Sequence, residues 1–241
     1  MTIKKNKLLE TGVPGLDKIL KGGITENNAV IISGGPGTGK TVLALQFLIE
    51  GAKKGEPGLL LVYDGEEDMV KYADSFGIDL RKYIKSGLIT IMQQPILLRK
   101  ISNLGVPIRL IKDKKIKRVA LDSLSMYSYC QVVDRNDYRR AMVTFLHNMK
   151  SVTLMATNES KGSNIDEMDF GPEDFLFGGV ILLAKVRSEA TFERVIHVSK
   201  MRGQNHLLDI YPYTIGKGGI KAYPDQLPFS LMDQENVTKK K

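Results

Sequence analysis

The chain's 241 residues are enough for one substantial core and awkward for two. With 42% hydrophobic and 26% charged residues, its composition excludes a disordered or fibrous protein. The longest apolar stretches, such as Gly58–Tyr63 and Gly178–Ala184, are strand-sized and far short of the roughly 20 residues that span a bilayer.

The net charge of +8 gathers at Lys4–Lys7, Lys112–Lys117 and Lys239–Lys241. It serves solubility or an anionic partner and does not decide the function. Met1–Glu10 carries lysines with no apolar run behind them, so no secretory signal is expected. One cysteine, Cys130, allows no intrachain disulfide and fits a reducing, cytoplasmic setting. The three histidines and that cysteine are too scattered for a zinc site. A single domain over 1–241 is expected, with its core at about 8–224 and a flexible basic tail at 225–241.

In chain order, Ala29–Ser33, Leu59–Tyr63, Leu88–Met92, Arg118–Asp122 and Val152–Thr157 are short apolar runs without period-two alternation. Strands buried on both faces of a parallel sheet read this way. Thr41–Lys53 has Leu45, Leu48 and Ile49 at helical spacing. Tyr138–Met149 puts Tyr138, Met142, Phe145, Leu146 and Met149 on one stripe, with Arg139 and Arg140 off it. Pro107 interrupts the segment between the third and fourth strands, which predicts two short helices or a helix and a loop. Beyond residue 175 the pattern becomes strand on strand. Gly179–Val186 and Phe192–Ser199 are followed by Tyr213–Ile215 and Ile220–Tyr223 around a turn at Gly216–Gly219. The expected fold is α/β: a mainly parallel central sheet flanked by helices, with antiparallel C-terminal edge strands.

Gly34, Gly35, Pro36, Gly37, Thr38, Gly39, Lys40 and Thr41 satisfy the pattern GxxxxGK[ST] in full. Glycines let the backbone turn so that several N–H groups face one anion, and the helix that follows adds its positive end. Lys40 is expected to reach the β- and γ-phosphates of ATP, and the Thr41 hydroxyl to ligate Mg²⁺. Asp122 closes an apolar strand and is the expected acid on the metal side; the plainer alternative is a helix-capping Asp before Ser123.

With these motifs placed, the flanking residues resemble KaiC-like proteins of the RecA superfamily of P-loop ATPases. The resemblance rests on Thr11–Asp17 with Gly22-Gly23-Ile24, on Ser75-Phe76-Gly77, and on Lys200-Met201-Arg202-Gly203 with His206 and Tyr211-Pro212. It spans about residues 8–224. It implies a RecA-like fold, a hexamer and ATP bound between neighbouring subunits, with Lys200 and Arg202 reaching the γ-phosphate held by the next subunit. Alternate residues of a strand share a face, so these two cations are expected to converge; the alternative is a pair of solvated edge-strand cations. Thr157 and Asn158 match the family's sensor position more loosely.

Two departures from the family pattern stand out. The adjacent glutamates that usually end the second strand are Tyr63 and Asp64 here. Asp64 is then the expected catalytic carboxylate, with Glu66 in reserve, and hydrolysis should be slow. The hydroxyl pair phosphorylated in the clock protein falls near Asp174 and Phe175, neither of which has a hydroxyl.

The resulting expectation is a slow ATPase acting as an oligomeric, nucleotide-dependent switch for protein partners, with no membrane association. The alternative is a DNA-binding recombination or repair accessory of RecA/RadA type. The stretch Glu159–Phe175 carries six acids against Lys161 alone, which would repel nucleic-acid phosphates. Arg135, Arg139, Arg140 and the basic tail argue the other way.

Overall fold

The computed structural model describes residues 7–93, 105–125, 135–160, 165, 170–188 and 190–229. In chain order the elements are β1 (Leu8–Leu9), α1 (Leu16–Ile19), β2 (Ile24–Thr25), β3 (Ala29–Gly34), α2 (Lys40–Lys53), β4 (Gly58–Val62), α3 (Glu66–Ser75), α4 (Leu80–Lys85) and β5 (Ile89–Gln93). They continue as α5 (Gly105–Asp113), β6 (Arg118–Asp122), α6 (Arg135–Asn148), β7 (Thr153–Glu159), α7 (Pro172–Leu176), β8 (Gly179–Ser188), β9 (Thr191–Met201), β10 (Tyr211–Gly216) and β11 (Gly219–Ala222).

The apolar runs without alternation lie in the middle of the sheet, where both faces are covered and neither side of the strand can be polar. Nine strands follow the order β11-β10-β9-β8-β3-β7-β6-β4-β5. From β8 to β5 all neighbours are parallel, and β9, β10 and β11 extend the β8 edge antiparallel. The carboxyl ends of β3, β4, β6 and β7 therefore open on one side. That crevice is where open α/β sheets bind ligands.

The two faces have separate cores. On one, α2 contributes Val42, Leu43, Leu45 and Phe47 to a cluster that includes Met69 and Val70 of α3 and Tyr213 and Ile220 of the C-terminal hairpin. On the other, Ile111 of α5 and Met142, Phe145 and Met149 at the predicted α6 stripe pack over Leu59, Leu121 and Leu154. Fully buried Arg118 ties β6 to the first face. Its Nε donates to Glu56 at 2.8 Å, and its Nη1 to the carbonyls of Glu10 and Phe47 at 2.7 and 3.0 Å. A Cβ on Gly51 would lie 2.5 Å from the Arg118 stem, so only glycine lets α2 pass there.

Several boundaries differ from the sequence expectation. β4 stops at Val62, leaving Tyr63 beyond the strand, and β7 runs two residues further, through Glu159. α6 begins at Arg135 rather than Tyr138. Pro107 stands in the first turn of α5, where the missing N–H costs nothing. Helices α3 and α4 were not expected: their buried residues are only Met69, Val70 and Ala73 in one and Leu80 in the other, too few to print a period. Asp79 caps α4 by accepting the Lys82 N–H at 3.0 Å. Cys130, most of the acidic stretch after Glu159, and the tail from residue 230 lie outside the described residues.

Candidate nucleotide-binding site

β3 runs into the glycine-rich segment at Gly34, and α2 leaves it at Lys40. Two features force glycine. Gly39 has φ +92° and rests against Ile215 and Ile220 of the hairpin, where a Cβ would come within 2.7 Å of the Ile215 side chain. Gly34 lies so close to β8 that a Cβ would be 2.3 Å from the Leu183 carbonyl.

Side chains occupy the loop's carbonyls. Thr38 Oγ1 donates to Gly35 O at 2.8 Å, Lys40 Nζ to Gly34 O and Gly35 O at 2.9 and 3.0 Å, and the buried Tyr213 hydroxyl to Thr38 O. No N–H of residues 35–39 donates to another described backbone carbonyl. Unpaired N–H groups at the start of a 14-residue helix form a cradle for an anion. Burial pulls the Lys40 ammonium below its ordinary pKa, opposed by the charges of Glu159 and Asp122. Burial disfavours the charged form, and a bound anion would favour it.

Asp122 stands beside the loop. Thr41 Oγ1 donates to its Oδ2 at 2.7 Å, and the buried Thr157 hydroxyl to its Oδ1. The peptide bond that follows, Asp122–Ser123, is cis. A hydroxyl and a carboxylate side by side are hard oxygen donors suited to Mg²⁺, which keeps most of its shell as water and phosphate and needs only one or two protein ligands. Among the described residues no group of three His, Cys, Asp or Glu side chains could hold a metal on its own. Asn158 is engaged next door, with Ser125 Oγ donating to its Oδ1 at 3.1 Å.

Asp64 is exposed just past β4. Val62 pairs with Asp122, so Asp64 stands two residues beyond the acid on the neighbouring strand. Glu66 opens α3 instead.

Lys200 and Arg202 are brought together, though not by strand alternation, because β9 ends at Met201. They meet at the end of α7. Lys200 Nζ donates to Asp174 O and Phe177 O at 2.9 and 2.6 Å, and Arg202 Nη2 to Phe175 O at 3.2 Å. Helix carbonyl ends attract cations. Burial, and after it the charge of Arg202, lowers the Lys200 pKa, with Asp174 opposing. Lys200 pairs with Val180, three residues from Leu183, the partner of Gly34. The pair is thus set back about 10 Å along the sheet from its own phosphate loop.

Two aromatic residues at the site were not singled out in the sequence. Tyr213 is one; Tyr72 of α3 is the other. Burial and then the Asp122 charge push the Tyr72 hydroxyl's pKa up, while a hydrogen bond with Thr41 opposes. Neither residue belongs to a local motif, and both arrive through tertiary packing alone.

A mostly parallel sheet with a phosphate loop at its centre and an acid on a nearby strand defines a RecA-like P-loop nucleotide-binding domain. The chain belongs to the KaiC ATPase family, whose model matches residues 9–227. It is 29% identical to a UPF0273 protein of Pyrococcus furiosus over 91% of this chain and 95% of that protein. It is 30% identical to the circadian clock oscillator protein KaiC of Picosynechococcus over 92% of this chain and 45% of that longer protein. A solved KaiC-like protein of Pyrococcus horikoshii superposes with TM-score 0.81 at 31% identity, covering 91% of this chain and all of the other. Among the described residues no helix is long and apolar enough to cross a membrane.

Proposed function

We propose that the protein is a slow, Mg²⁺-dependent ATPase that holds ATP at the boundary between neighbouring copies of itself and works as a nucleotide-dependent switch for protein partners. Residues 34–41 take the phosphates, with Lys40 on the terminal ones. Thr41 and Asp122 hold Mg²⁺, which supplies charge neutralisation at the phosphates when bound. Asp64 orients the attacking water. Lys200 and Arg202 serve the ATP of the adjacent copy in a closed ring, a hexamer in this reading. The setting is the reducing cytoplasm that a single cysteine favours.

The observation that carries this reading is the placement of Lys200 and Arg202 at the end of α7, set back from their own loop. Besides holding the α7 carbonyls, two cations able to stabilise phosphoryl transfer would meet phosphates there when a second copy brings its loop to them. The test is to measure solution mass and phosphate release with and without ATP and Mg²⁺. The expected result is a nucleotide-stabilised oligomer with slow turnover. A protein that stays monomeric yet turns over ATP would sink the reading.

A second reading, a DNA-linked accessory ATPase, is favoured by the exposed Arg139 and Arg140 on α6. Salt-dependent binding to single-stranded DNA separates it from the first.

A further inference from the structure

Lys40 does not account for all the positive charge at the loop of its own chain. Lys185 lies on β8, two residues beyond Leu183, the partner of Gly34. Its backbone therefore stands about 7 Å past the point where the loop leaves the sheet. Its ammonium donates to Pro36 O at 3.3 Å, and a Cβ built on Gly37 would be 3.7 Å from it. This cation rests against the middle of the phosphate loop of its own chain.

Its neighbour is another cation. In the β8–β9 ladder Lys185 stands directly opposite Arg194. Residues so paired share a face with Cβ atoms about 4.5–5.5 Å apart, and like charges there destabilise the pair. Arg194 has its Nε buried without a hydrogen-bond partner among the described residues. It lies close enough to Tyr213 for its charge to oppose the rise that burial gives that phenol's pKa. Tyr213 in turn holds Thr38 O of the loop. Among the described residues no carboxylate forms an ion pair with Lys185 or Arg194. A cation against the loop, a second cation opposite it and a buried guanidinium nitrogen without a partner are arranged for a negative ligand.

We infer that Lys185 and Arg194 form a cationic rim of the phosphate loop that grips the phosphate chain of a bound nucleoside triphosphate from the β8 side, in the same subunit as the loop. The inference rests on the reading of residues 34–41 as a nucleotide site and adds to it two residues outside the motif.

The test uses the full chain with Lys185→Gln and Lys185→Arg, read by thermal melting without nucleotide and by equilibrium ATP binding with Mg²⁺. Glutamine keeps an N–H donor for Pro36 O and removes the charge. Without nucleotide, Lys185→Gln should melt about 1–3 °C higher because a repulsion is gone. It should bind ATP about tenfold more weakly, since a charge-assisted contact is lost. Lys185→Arg should bind close to the parent. ATP binding by Lys185→Gln at the parent's level overturns the inference alone. Loss of both melting temperature and affinity marks Lys185 as a mere prop for the loop and overturns it too. Failure of the parent itself to bind ATP would overturn the nucleotide reading of the loop, and this inference with it.

Discussion

Thr41 and Asp122, 81 residues apart in the chain, meet through a 2.7 Å hydrogen bond from Thr41 Oγ1 to Asp122 Oδ2. The first residues of α2 and the last residue of β6 are thus brought to one point, and with Thr157 on the other carboxylate oxygen the acid is fixed in orientation. In the proposed function this pair would hold Mg²⁺, whose charge would neutralise the phosphates.

Asp122→Asn should therefore cut phosphate release by about 100-fold or more, a loss of the size seen when preorganised charge at a developing anion is removed. ATP binding measured in excess EDTA should change little, because the carboxylate acts through the metal. Equal activity of Asp122→Asn and the parent across a Mg²⁺ titration would contradict the assignment.

Lys40 is a half-buried cation whose pKa is lowered chiefly by desolvation. A cation with a folded-state pKa below its unfolded value opposes folding. The penalty is complete below the folded pKa and disappears as pH rises through the window up to the unfolded value near 10.5. Lys40→Met should consequently melt higher than the parent at pH 7 without nucleotide, with the gap closing as pH is raised towards 10. The same variant should bind ATP at least tenfold more weakly, as expected for losing hydrogen bonds to a charged ligand. Melting curves at several pH values and a binding titration read the two effects separately.

Asp64 begins from the right strand end but is one C–C bond, about 1.5 Å, shorter than glutamate. A second water spanning that gap would cost positioning of easily tenfold. Asp64→Glu should raise phosphate release without tightening ATP binding, and Asp64→Asn should nearly abolish it. If Glu66→Gln is the variant that abolishes turnover, the catalytic carboxylate belongs to α3 instead.

The phosphate loop and the parallel centre of the sheet were legible because each is written locally: glycines at fixed offsets, and apolar runs with no polar face to show. Asp122 was legible for the same reason, at the end of such a run. The ends of elements were less so. Tyr63 reads as strand, yet β4 stops at Val62 and Gln93 Nε2 takes the Tyr63 carbonyl at 3.0 Å instead. Helices α3 and α4 are short and mostly exposed, so their burial leaves too small a stripe to recognise. Tyr72, Tyr213, Lys185 and Arg194 could not be found from sequence pattern. Tyr72, Tyr213 and Lys185 reach the loop by tertiary packing and Arg194 lies opposite Lys185, and single residues on a strand or helix carry no spacing that marks them. The convergence of Lys200 and Arg202 was expected for the wrong reason: the end of α7 gathers them, through carbonyls that no strand periodicity reveals.

The most direct test of the account mixes two inactive proteins, Lys40→Ala and Arg202→Ala, under conditions where mass measurement demonstrates mixed oligomers. Where a copy lacking Arg202 presents its intact loop to a copy whose Arg202 remains, one complete site forms. Phosphate release should therefore rise well above that of either variant alone. No recovery in demonstrably mixed oligomers would contradict the central claim that Lys200 and Arg202 complete the site of a neighbouring subunit.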